Sequence, residues 1–123
     1  MLTTLWKSAL AAATIMFSTS LAFAHAELMT ATPATGSTIA TAPTEIILTF
    51  SEEIDLKFSG AKLEDAMKMD FSTGAASLAK DNNKTLVVPI TTPLAAGDYV
   101  VAWHNLSKDG HKIKGSFKFT VKP

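Results

Sequence analysis

Beyond residue 25, apolar and polar positions alternate in short runs that turn residues keep interrupting. Over 45–50 the alternation puts Ile46, Leu48 and Phe50 on one face, the two-residue period of a half-buried strand. Tyr99, Val101 and Trp103 alternate in the same way, as do Phe117, Phe119 and Val121. Residues 86–90 form a further apolar run, where Pro89 predicts an edge strand or a bulge because it brings no N–H to a ladder. Residues 27–32 and 58–63 complete the strand candidates, with Phe50, Phe58, Phe71, Phe117 and Phe119 expected in the core. Turn signals separate them: Pro33-Ala34-Thr35-Gly36, Asp81-Asn82-Asn83-Lys84 and Ala96-Gly97-Asp98. The stretch 64–80 is the least regular and is expected to hold a short helix or a long loop. No repeat, linker or second domain is visible. The pattern predicts an all-β fold, an antiparallel β-sandwich or Greek-key barrel.

The first 24 residues follow a different pattern. Lys7 precedes an apolar stretch over 8–17, and Ala22-Phe23-Ala24 is a small-x-small cleavage site. This reads as a secretory signal, 1–24, cut after Ala24. The alternative is a retained membrane anchor, but the apolar segment falls short of the ~20 residues that span a bilayer. A second triplet, Ala24-His25-Ala26, overlaps the first, and a cut after Ala26 would discard His25. Cleavage after Ala24 leaves residues 25–123 as one small domain with a modest core. Nothing after Ala24 is long and apolar enough to cross a membrane. The expectation is an exported, periplasmic protein with no membrane insertion after signal cleavage.

Composition narrows the chemistry. Eleven lysines face eleven acids with no arginine, and losing Lys7 leaves a net charge near −1. No basic stripe is available for phosphates, so nucleic-acid binding is not expected. The chain has no cysteine, which removes disulfides and thiolate sites for zinc or Cu(I). His, Asp, Glu and Met remain as metal chemistry.

Cleavage after Ala24 would make His25 the first residue, where the α-amine and the imidazole Nδ1 can chelate one ion. The α-amine, with a reference pKa near ~8, must lose its proton to do so. Two other histidines exist, His104 and His111. In an extended segment, side chains at i and i+2 point the same way, so Asp109 and His111 of Asp109-Gly110-His111 would present a carboxylate and an imidazole together. By itself such a tripeptide is more often a polar turn. Combined with His25 it makes two imidazoles, one amine and one carboxylate, a set suited to tetragonal Cu(II). Trp103 and His104 are strand neighbours facing opposite ways, with Trp103 expected in the core and His104 exposed or hydrogen-bonded outside the ligand set.

The sequence resembles the CopC/PcoC family of periplasmic copper-binding proteins. The resemblance rests on His25-Ala26-Glu27-Leu28, Thr32-Pro33-Ala34-Thr35-Gly36-Ser37, Leu48-Thr49-Phe50-Ser51-Glu52 and Phe58-Ser59-Gly60-Ala61-Lys62-Leu63. It continues through Pro93-Leu94-Ala95-Ala96-Gly97-Asp98-Tyr99, Trp103, Ser107-Lys108-Asp109-Gly110-His111 and Gly115-Ser116-Phe117. It implies a cupredoxin-like barrel or sandwich with one Cu(II) per chain, His25, Asp109 and His111 as ligands, and Glu52 as a weak ligand or an acceptor beside the site. Some relatives hold Cu(I) in a methionine-rich loop. Here only Met67 and Met69 stand in that region, with Met29 expected either near them or in the core, so a Cu(II)-only protein is expected.

The function implied is a non-enzymatic carrier or buffer in copper homeostasis and resistance. Some relatives fuse this domain to a membrane copper-import domain; here such a membrane transporter is expected to be a separate protein. Two alternatives remain. A histidine-brace copper monooxygenase also uses an N-terminal histidine on a β-sandwich, but a small domain leaves little room for a substrate platform and Asp109 would fill a position that oxygen needs. A metal-free structural sandwich domain would not respond to copper at all.

Overall fold

The computed structural model describes residues 25–71 and 73–123. The proposed signal, 1–24, lies outside the described residues. Among the described residues nine strands follow in order: β1 (Leu28–Thr32), β2 (Thr38–Ile39), β3 (Glu45–Phe50), β4 (Gly60–Asp65), β5 (Asp70–Phe71), β6 (Ser77–Ala79), β7 (Asn82–Pro89), β8 (Gly97–Leu106) and β9 (Lys112–Val121). They form a four-stranded sheet, β1-β3-β7-β6, and a five-stranded sheet, β2-β9-β8-β4-β5. All neighbours are antiparallel except β2, which runs parallel to β9. This is the β-sandwich that the alternation predicts. Among the described residues no helix is long and apolar enough to cross a membrane.

Period-two alternation builds the core. Ile46, Leu48 and Phe50 of β3, with Leu86 and Val88 of β7, belong to one buried cluster with Leu63 of β4, Tyr99, Val101 and Trp103 of β8, and Phe117, Phe119 and Val121 of β9. Polar residues fall on the outer positions, as in Lys112, Lys114 and Lys118 of β9. Trp103 is inward and stands opposite Gly115 in the β8–β9 ladder. Its indole occupies the place a side chain at 115 would fill, and its ring centroid lies 5.3 Å from that of Phe50.

Three expectations are corrected. The stretch 64–80 contains no helix among its described residues. β4 instead runs to Asp65 and turns back into β5, because the Asp65 carboxylate accepts the N–H groups of Met67 and Met69, each at 2.9 Å. Lys68 takes the positive φ, 60°, that this turn requires. Phe58 is not in the core. It ends a single 3₁₀ turn, Leu56–Phe58, started by the Asp55 side chain, and is 48% exposed. Pro89 lies neither on an edge nor at a bulge: β7 is an inner strand, and Pro89 is its last residue, facing Glu45.

Candidate metal centre

The N-terminal segment is held by side chains before it becomes a strand. Ser51 N–H donates to the Glu27 carbonyl at 2.8 Å, and Ser51 Oγ receives Glu27 N–H at 3.0 Å. The same hydroxyl donates to the His25 carbonyl, also at 3.0 Å. On the other side, Asn105 Nδ2 donates to the carbonyl of fully buried Ala26 at 2.9 Å. His25 is thereby placed at one end of the sandwich, half-buried, with its Nδ1 shielded from solvent.

The second contribution comes from the loop that joins β8 to β9. Ser107 N–H donates to the His111 carbonyl at 2.8 Å, and Gly110 N–H to the Ser107 carbonyl at 2.9 Å, which folds 107–111 into a tight turn. Gly110 sits at φ 95°, where a Cβ would be strained. The loop is anchored to its neighbours by Lys108 N–H on the Glu53 carbonyl and by the Ile54–Ser107 bridge. The extended segment expected for Asp109 and His111 is therefore corrected. A turn, rather than strand alternation, brings the two side chains to one side.

Their contact is direct, with His111 Nδ1 3.2 Å from Asp109 Oδ1. The Ser107 hydroxyl also donates to Asp109 Oδ1, and it accepts the His111 N–H at 3.2 Å. The Ser107 hydroxyl first, and the His111 imidazole after it, hold the Asp109 carboxyl below the usual carboxylate range. His25 and His111 meet edge to face, their ring centroids 5.2 Å apart at an interplanar angle of 86°. His25 and the β8–β9 loop thus share one small site.

Glu52 is exposed and stands on the Asp109 side. It lines a cavity of about 340 Å³ with Glu53, Lys84, Ser107, Lys108 and Asp109. Among the described residues no group of three His, Cys, Asp or Glu side chains stands ready-made around an ion position. One oxygen of Asp109 and one nitrogen of His111 are turned on each other. The remaining donor of the proposed set, an α-amine, is not a side chain. The donor chemistry fits a copper ion: the contacts within the turn engage His111 through Nδ1 and Asp109 through Oδ1, and His111 Nε2 and the second Asp109 oxygen are the donor atoms they leave over.

The other candidates separate clearly. His104 is exposed on the outer face of β8, beside Gly60, where a Cβ would come within 3.2 Å of its ring. Met67 and Met69 are 82% and 63% exposed in the β4–β5 turn. Met29 is 63% exposed on β1, which excludes the core position considered for it. Sequence reasoning assigned no role to Ser51, Ser107 or Asn105. Asn105 was findable by parity, as the polar residue in the inward series Tyr99, Val101, Trp103.

Comparison with known proteins adds the following. Residues 28–122 match the CopC domain family. The chain is 40% identical over 114 residues to Protein YobA of Escherichia coli K12, covering 93% of this chain and 92% of that protein. It is 45% identical over 112 residues to Copper resistance protein C of Pseudomonas syringae pv. tomato, covering 87% and 88%. The crystal structure of PcoC, a methionine-rich copper resistance protein from Escherichia coli, superimposes with a TM-score of 0.73 at 38% identity, covering 80% of this chain and 100% of that one.

Proposed function

The chain belongs to the CopC family, and from that premise we propose that it is a periplasmic Cu(II)-binding protein, a carrier or buffer in copper homeostasis and resistance that takes one ion per chain. The observation that carries this reading is the meeting of His25 and His111, 5.2 Å apart by ring centroids, with Asp109 against His111. In this reading signal cleavage after Ala24 frees the α-amine of His25. The amine and Nδ1 of His25 chelate the ion, His111 contributes Nε2, and Asp109 contributes the oxygen not engaged by Ser107. Glu52, on the Asp109 side, receives an N–H of the amine or an imidazole and fixes its direction.

Mixed nitrogen and carboxylate donors favour Cu(II) over the other divalent first-row ions. Protons compete for the amine and both imidazoles, so capture weakens as pH falls. The partner in transfer is a membrane copper transporter. The test is titration of the protein processed to His25 with Cu(II), followed by EPR. One equivalent should give a tetragonal spectrum with nitrogen hyperfine structure, and zinc at equal concentration should leave the copper in place. Displacement by zinc, or a native N-terminus at Glu27 by intact mass, would overturn the ligand set.

A further inference from the structure

We infer that Asn105 is the residue that positions His25 for metal capture, its Nδ2 holding the Ala26 carbonyl and its Oδ1 receiving an N–H of the α-amine that processing creates. The inference rests on the copper reading above and extends it to a residue outside the ligand set. Asn105 takes an inward position of β8 and is 2% exposed, in line with Tyr99, Val101 and Trp103. An apolar side chain would suit such a place better, because a buried amide is unfavourable unless its polar atoms are bonded. Half of that requirement is met. Nδ2 donates to the Ala26 carbonyl at 2.9 Å, across 79 residues of sequence.

The other half is not met within the fold. Asn105 Oδ1 is buried and has no hydrogen-bonding partner among the described residues. The carbonyl that Asn105 grips belongs to the residue next to His25. While residue 24 is attached, the His25 nitrogen is an ordinary amide. After cleavage it becomes an amine with additional N–H donors, and it keeps two of them when bound to a metal. A buried acceptor one residue away is suited to receive one. Together with Ser51 on the His25 carbonyl, this clamps the segment from both sides and presents the amine toward the ion. Groups that hold a ligand in this way commonly change metal affinity ~10–100-fold when removed.

The experiment uses protein processed to His25, wild type and Asn105→Leu, the latter close in shape and apolar. The expected result is a still cooperative thermal transition, lowered because the buried Ala26 carbonyl loses its donor, with Cu(II) affinity weakened ~10–100-fold and an altered nitrogen hyperfine pattern by EPR. In the metal-free variant, amide exchange at Ala26 and Glu27 should accelerate while β4 and β8 keep their protection. Wild-type affinity and an unchanged spectrum in a folded Asn105→Leu protein would overturn the inference. Should that variant not fold, the wild type decides. The Asn105 side-chain ¹³Cγ resonance, measured metal-free, should differ between protein starting at His25 and protein retaining Ala24, and an unmoved resonance overturns the inference. Failure of wild type to bind Cu(II) would strike the copper reading alone, because the metal-free measurements decide Asn105 independently.

Discussion

Gly115→Ala should destabilise the domain through a single steric conflict. A Cβ at 115 would lie 2.6 Å from Trp103 Cζ2 and 2.9 Å from Cε2, against the ~3.5–4.0 Å at which carbon atoms pack. The indole has little freedom to retreat, since it is buried and packed against Phe50 at 5.3 Å. Forcing a methyl into a filled core costs about 1–3 kcal/mol. Restricting the unfolded chain returns about 0.4–1 kcal/mol, which leaves a net loss of about 1.3 kcal/mol at the midpoints of the two ranges. For a domain of this size, that corresponds to a fall in Tm of roughly 5–10 °C. Thermal unfolding followed by circular dichroism measures it, and fluorescence reports the cause, because Trp103 is the only tryptophan after the proposed signal. Adding Trp103→Phe should make the two changes less than additive, the mark of residues in contact. An unchanged or raised Tm with unmoved emission would refute the reasoning.

The ligand roles are separable by substitution: His111→Ala and Asp109→Ala should each weaken Cu(II) binding in a competition titration, His104→Ala should leave it unchanged, and Glu52→Gln should weaken it by no more than ~10–100-fold. Ser107→Ala should raise the Asp109 carboxyl toward its ordinary value, read by NMR titration, since the Ser107 hydroxyl is the main cause of its depression. A folded-state value below the unfolded one means that Asp109 contributes stability above about pH 4, lost as pH falls through the folded value. Asp109→Asn should accordingly remove part of the acid-side loss in a series of unfolding curves. Met67→Leu/Met69→Leu should leave Cu(II) binding intact, and anaerobic Cu(I) titration should show only weak binding, because both thioethers lie exposed in a turn rather than converging on one point.

The long strands were legible because each buries one face. The parity of Ile46, Leu48, Phe50 and of Tyr99, Val101, Trp103 can be read without knowing what lies opposite. Phe58 and 64–80 were not legible for the converse reason. Asp55 and Asp65 start tight turns through their own carboxylates, and these local hydrogen bonds outweigh the apolar pattern around them. At the site, the residue types and their pairing could be expected from His25 and the Asp109-Gly110-His111 run, but the cause of the pairing could not. Gly110 and the Ser107 hydroxyl make a turn where strand alternation was expected. The Asn105–Ala26 bond links positions that only the folded sandwich brings together.

The placement of β1 bears on how a bound ion would leave. β1 is an edge strand, joined within its sheet to β3 alone, and its register slips between Leu28 and Thr30. Edge segments open locally at a small fraction of the free energy that global unfolding requires. Peeling β1 from β3, with release of the Asn105–Ala26 and Ser51–His25 hydrogen bonds, would withdraw His25 while β8, β9 and their connecting turn stay in place. In the copper reading, the exchange rate is then set by opening of one short strand together with the two hydrogen bonds that clamp its start. A receiving protein that captured the freed edge could accelerate unloading without outcompeting the intact site at equilibrium.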